Sequence, residues 1–124
     1  MKVTFAPRGI LQIDNARIIY RNFSGEGSKF NREGDRNFSL IIDDPAIADE
    51  LVAQGWNVKI REPREEGDDP FIHLPVKVKF NDRGPVIWLV SGRNRTKLNE
   101  DTVGLLDDCD ILDVSLDIRP YDYD

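Results

Sequence analysis

Between residues 17 and 38, the cations Arg17, Arg21, Lys29, Arg32 and Arg36 are interleaved with the rings of Tyr20, Phe23, Phe30 and Phe38. Cations spaced in this way can follow a chain of phosphates, and ring faces can stack on unpaired bases. The segment therefore suits the holding of a single strand of nucleic acid. Phe30 stands out. It lies between Lys29 and Asn31, in a stretch with Gly25, Gly27 and Gly34, where no core needs a ring. Tyr20 and Phe38 fall on the core-facing side of strands by pattern, and Phe23 fits either role. The arginines equally suit the solvated face of a sheet.

Two further basic groups follow. Lys59, Arg61, Lys77 and Lys79 occupy outward positions of two strands. If those strands pair, the four make a basic stripe; outward lysines also guard sheet edges against aggregation. Arg93, Arg95 and Lys97 cluster in a stretch read as a loop, and loops at a barrel mouth commonly touch oligonucleotides. Trp88, inside the apolar run 86–90, reads as core. Trp56, after Gly55, reads as a plug at a helix-to-strand junction.

Residues suited to catalysis are few. His73 stands between Ile72 and Leu74, as a half-buried strand residue would. Cys109 lies between Asp108 and Asp110, whose charges disfavour a thiolate. No phosphate-binding loop, dinucleotide fingerprint or nucleophile elbow occurs. The acid pairs Asp43-Asp44, Asp68-Asp69 and Asp107-Asp108 sit at turns, where they serve as caps or solvated charge more readily than as Mg²⁺ ligands. The expectation is a binding protein, not an enzyme, with no metal and no cofactor.

The net charge of −6 is unevenly placed. Residues 1–97 hold 16 Lys and Arg against 14 Asp and Glu, whereas residues 98–124 set one Arg against nine acids. Electrostatic binding depends on the local patch, so the total does not exclude a polyanion as partner. The acidic end admits another reading, a protein-interaction module that is a virion component or mimics DNA to inhibit a host nucleic-acid enzyme. One cysteine rules out an internal disulfide, and no apolar run approaches a membrane span. A cytoplasmic protein with no membrane partner is expected.

The elements that must position these residues read as mainly β. Pro7 and Gly9 punctuate the start. A strand over 10–23 carries a bulge or bend at Asp14-Asn15, and a glycine-containing turn or mobile loop covers 24–35. A strand over 36–42 leads to a helix that Asp44 caps and Pro45 begins, with Ile47, Ala48, Leu51 and Val52 as its apolar stripe and Gly55 at its exit. Strands follow over 56–61, with Val58 and Ile60 inward, over 71–80 and over 86–90. The last two make a hairpin about Asn81-Asp82-Arg83-Gly84. Asn99 caps a short helix through Leu106. A final strand over 111–119 turns Leu112, Val114, Leu116 and Ile118 inward, and Pro120 ends it. Five or six strands with one or two short helices in a single domain suggest a partly open barrel of the oligonucleotide-binding (OB) type, with a sandwich as alternative. Open strand edges would let two copies pair as a homodimer.

The runs Ala16-Arg17-Ile18-Ile19-Tyr20-Arg21-Asn22-Phe23-Ser24-Gly25, Asn31-Arg32-Glu33-Gly34-Asp35-Arg36-Asn37-Phe38, Gly55-Trp56-Asn57-Val58-Lys59 and Ile118-Arg119-Pro120-Tyr121 resemble a group of small bacteriophage single-stranded DNA-binding proteins of OB-fold type. The resemblance spans most of residues 10–121. It implies sequence-tolerant binding of single-stranded DNA in phage replication or recombination, with proteins of those processes as further partners, in the host cytoplasm. Members of the group continue past the Arg-Pro-Tyr element with another strand, so a sequence ending at Asp124 is expected to be a shorter or truncated member.

Overall fold

A computed structural model describes residues 1–81 and 84–120. Among these residues are nine strands and one α-helix: β1 (Lys2–Phe5), β2 (Leu11–Asp14), β3 (Ile18–Asn22), β4 (Arg36–Ile41), α1 (Pro45–Ala53), β5 (Lys59–Arg61), β6 (Phe71–Val78), β7 (Ile87–Ser91), β8 (Asn94–Leu98) and β9 (Leu116–Ile118). Short 3-10 turns cover Pro7–Gly9 and Val103–Asp107. The strands form three sheets, ordered β1-β2-β9, β3-β4-β6-β5 and β7-β8, and none closes into a barrel. The mainly β class expected from the sequence is thus what the fold shows, with more and shorter strands. No helix of the described residues is long and apolar enough to cross a membrane.

The chain makes two compact units. The first is Met1–Ile19, Ser39–Val76 and Leu112–Asp124, and the second is Tyr20–Phe38 and Lys77–Ile111. In the first, Leu11 and Ile13 of β2, Leu40 and Ile42 at β4, Ala48 and Leu51 of α1, Leu74 of β6 and Ile118 of β9 form one buried cluster. The alternation of β2 explains its share. Leu11 and Ile13 point inward, while Gln12 and Asp14 face solvent. The antiparallel registers Val3↔Ile13 and Ile13↔Leu116 bring partly buried apolar side chains onto the same cluster.

The expected strand 10–23 is two strands, broken where Asn15 takes φ 53. Asparagine tolerates that left-handed backbone because its short amide bonds locally. The helix begins as expected. The Asp44 carboxylate accepts a hydrogen bond from Ala46 N at 2.9 Å, and Pro45 opens the first turn. Asp44→Ala should therefore lower stability by about 0.5–2 kcal/mol, with Asp44→Asn near wild type, as read from urea midpoints. Trp56 packs against the cluster as the plug its position suggested.

Several inward assignments are corrected. Tyr20 is 52% exposed and carries φ 56, so it is no core residue: the left-handed turn takes it out of the strand's alternation. Ile60 is exposed on β5, a short strand at the edge of its sheet. Leu112 is fully exposed, because the final strand has only three residues, Leu116–Ile118. The expected hairpin of 71–80 with 86–90 closes only at its turn, where Asn81 and Gly84 exchange backbone hydrogen bonds at 2.9 and 3.1 Å, and its two strands pair elsewhere. β6 pairs with β4 and β5, and β7 pairs with β8. Residues 82–83 of its expected turn, and Tyr121–Asp124, lie outside the described residues.

Candidate nucleic-acid interface

Six of the expected contacts in 17–38, Arg21, Phe23, Lys29, Phe30, Arg32 and Arg36, belong to the structured loop between β3 and β4 or to its roots. The loop is not a loose turn. Asn22 and Asn31 stitch it: Asn22 Oδ1 accepts from Glu26 N at 2.9 Å, and Asn31 Nδ2 donates to the carbonyls of Glu26, Arg32 and Asp35. Asn37 Nδ2 donates to Asn31 Oδ1 at 2.9 Å, and Gly34 N to Gly25 O at 2.8 Å. At Gly25, with φ 74, a Cβ would lie 3.2 Å from the Gly34 backbone, so this crossing needs glycine. Polar side chains here replace the missing sheet bonds and fix the tip.

That tip presents Phe30, 91% exposed, with Lys29 Nζ 5.7 Å from its ring centre. Arg32 is exposed on the same loop. Phe23 is not a platform. It is 5% exposed and stacks on Phe38 with centroids 5.3 Å apart. Burial of this pair anchors the loop's roots, and no base can reach the Phe23 ring. Arg21 Nη1 donates to the carbonyls of Leu106 and Cys109, both at 2.8 Å, where the 3-10 turn ends and carbonyls lack intrahelical partners. Arg36 Nη2 donates to Glu100 O at 3.3 Å and its guanidinium lies 5.5 Å from the Phe80 ring centre. Both arginines therefore spend their charge inside the second unit. Asp107, one of the acidic surplus, does so too, accepting from Phe23 N at 2.6 Å and Ser24 N at 3.0 Å.

The stretch read as a basic loop is instead a hairpin. β7 and β8 pair through Trp88↔Lys97, Val90↔Arg95 and Ser91↔Asn94, joined by Gly92-Arg93. Gly92 at φ 61 supplies the positive φ that a two-residue turn needs at its first position. Alternation then puts Trp88, Val90, Arg95 and Lys97 on one face. Trp88 is 48% exposed rather than core, and Arg95 lies over its ring at 4.7 Å. Arg93 projects from the turn. Sequence reasoning placed Trp88 in the core and missed its exposure beside Arg95. The signal was available in the shared parity of an aromatic and two cations about a Ser-Gly-Arg-Asn turn.

In the first unit, Arg17 is exposed and its carbonyl accepts from Ile41 N at 2.8 Å. The expected stripe takes another form. Lys59 stands opposite His73 and Arg61 opposite Phe71, while Lys77 and Lys79 are exposed residues of the second unit. Paired residues share a face, and Ile72 and Leu74 point to the core, so Lys59, Arg61, Phe71 and His73 lie on the side away from it. The Phe71 and His73 rings stack with centroids 5.2 Å apart, and His73 Nδ1 shares a hydrogen bond with Ser39 Oγ at 3.1 Å. Burial, then the charges of Lys59 and Arg61, hold the imidazole below its ordinary pKa. Among the described residues no group of three or more His, Cys, Asp or Glu is placed to hold a metal ion.

No curated protein and no solved structure matches the chain. One family does, described as "Putative phage ssDNA-binding domain", and it matches residues 2–124. With nearly its whole length matched, the chain belongs to the phage single-stranded DNA-binding domain family.

Proposed function

We propose that the chain binds single-stranded DNA with little sequence preference, covering strands exposed during phage replication or recombination in the host cytoplasm. Phe30 and Trp88 stack on bases. Lys29, Arg32, Arg93, Arg95 and Lys97 meet phosphates, and Lys77 and Lys79 add positive charge to the same unit. One observation carries this reading. Two rings of the second unit stand in solvent, each with a cation against it, on a stitched loop and a tight hairpin. A cation on one face leaves the other open to a base, and every base has a face to offer, which makes such binding sequence-tolerant. The reading requires no bond-making step. Replication or recombination proteins are its natural protein partners.

Anisotropy of a labelled dT oligonucleotide tests it. Five phosphate contacts give a log–log salt slope of about −3.5, so a fourfold rise in salt weakens binding on the order of 100-fold. dT, dA and mixed strands should agree within about tenfold. Absence of binding at low salt overturns the reading.

A further inference from the structure

We propose that the face of β5 and β6 turned away from the core, made by Lys59, Arg61, Phe71 and His73, is a second contact site for single-stranded DNA, with bases on the Phe71–His73 pair and a phosphate between Lys59 and Arg61. This rests on the reading above but uses none of its residues. The strand register supplies the geometry: each ring of β6 faces a cation of β5 across the pair. The stacked rings are half-buried, with part of their area open, and both cations are exposed. Stackable rings flanked by positive charge fit a base and its phosphate, and fit neither a cationic partner nor an apolar helix.

The imidazole gives this site a signature. Among the groups facing His73 are Lys59 and Arg61 from β5, the Ser39 hydroxyl from β4 and Phe71 of its own strand. Burial and the two cations keep the ring neutral in the free protein near pH 7. A phosphate between the cations offsets their charge, so the imidazole pKa rises on binding and a proton is taken up. Affinity then increases as pH falls. Ser39 can follow either state, since its hydroxyl donates to a neutral Nδ1 or accepts from a protonated one. His73 is the chain's sole histidine, so its ring resonances report this site alone.

The experiment titrates dT oligonucleotides by calorimetry near pH 6.5, in two buffers of different ionisation enthalpy, with the His73 ring followed by NMR. Wild type should take up a fraction of a proton per complex and His73→Gln none. Phe71→Ala should weaken binding about tenfold. Arg61→Gln, an exposed change on an edge strand that leaves folding intact, should weaken binding several-fold and flatten the salt slope by about 0.7. Wild-type affinity in both Phe71→Ala and Arg61→Gln, with no shift of the His73 resonances, overturns the inference. If Phe30→Ala/Trp88→Ala still loses binding, the proposed function survives that failure. If wild type itself binds no dT, both fall together.

Discussion

Replacing Phe30 and Trp88 together with alanine is expected to weaken dT binding at least about 30-fold, with thermal stability almost unchanged. Each ring is worth about 1–3 kcal/mol as a stacking platform, and contributions from separate elements add. Neither ring is a core residue. Phe30 tops a loop whose hydrogen bonds come from Asn22, Asn31 and Asn37, and Trp88 stands on the open face of a two-stranded ribbon. Surface truncations of this kind change stability by about 0.5 kcal/mol or less. The salt dependence separates rings from cations. The double variant should shift affinity without altering the slope, whereas Lys29→Ala or Arg95→Ala should each flatten it by about 0.7. Wild-type affinity in the double variant would remove the stacking platforms from the mechanism. A steeply reduced melting temperature would place both rings in the fold instead.

The parts of this fold that were legible in the sequence are those whose signal is local. Asp44-Pro45 followed by Ile47, Ala48, Leu51 and Val52 carries a cap, a start and an apolar stripe in a few residues; the helix begins where they say, and of the stripe only Val52 is exposed. Strand β4 was legible because Phe38 and Leu40 alternate toward a core. Phe30 was legible because a large ring amid glycine and polar residues has no packing reason to be there. Strand pairing is different, because it depends on competing partners far apart in the chain. The apolar run 86–90 reads as a buried strand wanting 71–80 across a turn. It pairs instead with Asn94–Leu98, a segment so charged that it carries no apolar alternation. Such a segment can be a strand because one face of the ribbon meets solvent and the opposing strand supplies its hydrogen bonds.

The same distinction governs the site. Arg21 and Arg36 looked like phosphate ligands because a cation's sequence neighbours do not reveal the carbonyls it will meet. Arg21 caps a 3-10 turn 85 and more residues away, and Arg36 bonds Glu100. Phe23 was balanced between core and surface, and its pairing with Phe38, invisible locally, decided for the core. His73 looked isolated because the cations beside it come from another strand. The kinship with single-strand binders was thus readable along the chain. Which cations and rings the fold itself engages was not.

Asp107→Ala should cost about 2 kcal/mol of stability at pH 7 and lower DNA affinity with it. The carboxylate receives the backbone N–H groups of Phe23 and Ser24, at 2.6 and 3.0 Å, at the point where β3 gives way to the Phe30 loop. Hydrogen bonds to a charged acceptor are worth about 1.5–3 kcal/mol each, and truncation leaves a part-buried donor unpaired; partial solvent exposure reduces the sum. Asp107→Asn keeps one acceptor oxygen and should lose about half as much. The pH dependence fixes the assignment. Burial pushes this carboxyl up, but bonds from Phe23 and Ser24 and the nearby Arg21 charge outweigh it and hold the pKa below the usual range. A depressed folded pKa means stability that is present above the unfolded value and lost as pH falls through the folded one. Wild type and Asp107→Asn should therefore differ by a constant amount above about pH 5 and converge in acid. Urea melts across that range measure the difference, and anisotropy at low temperature, with every variant folded, should rank dT affinity as wild type, Asn, then Ala. A constant gap down to pH 2 would show that the charge of Asp107 is not what holds the loop root. Unchanged dT affinity in Asp107→Ala would show that Phe30 keeps its place without that anchor.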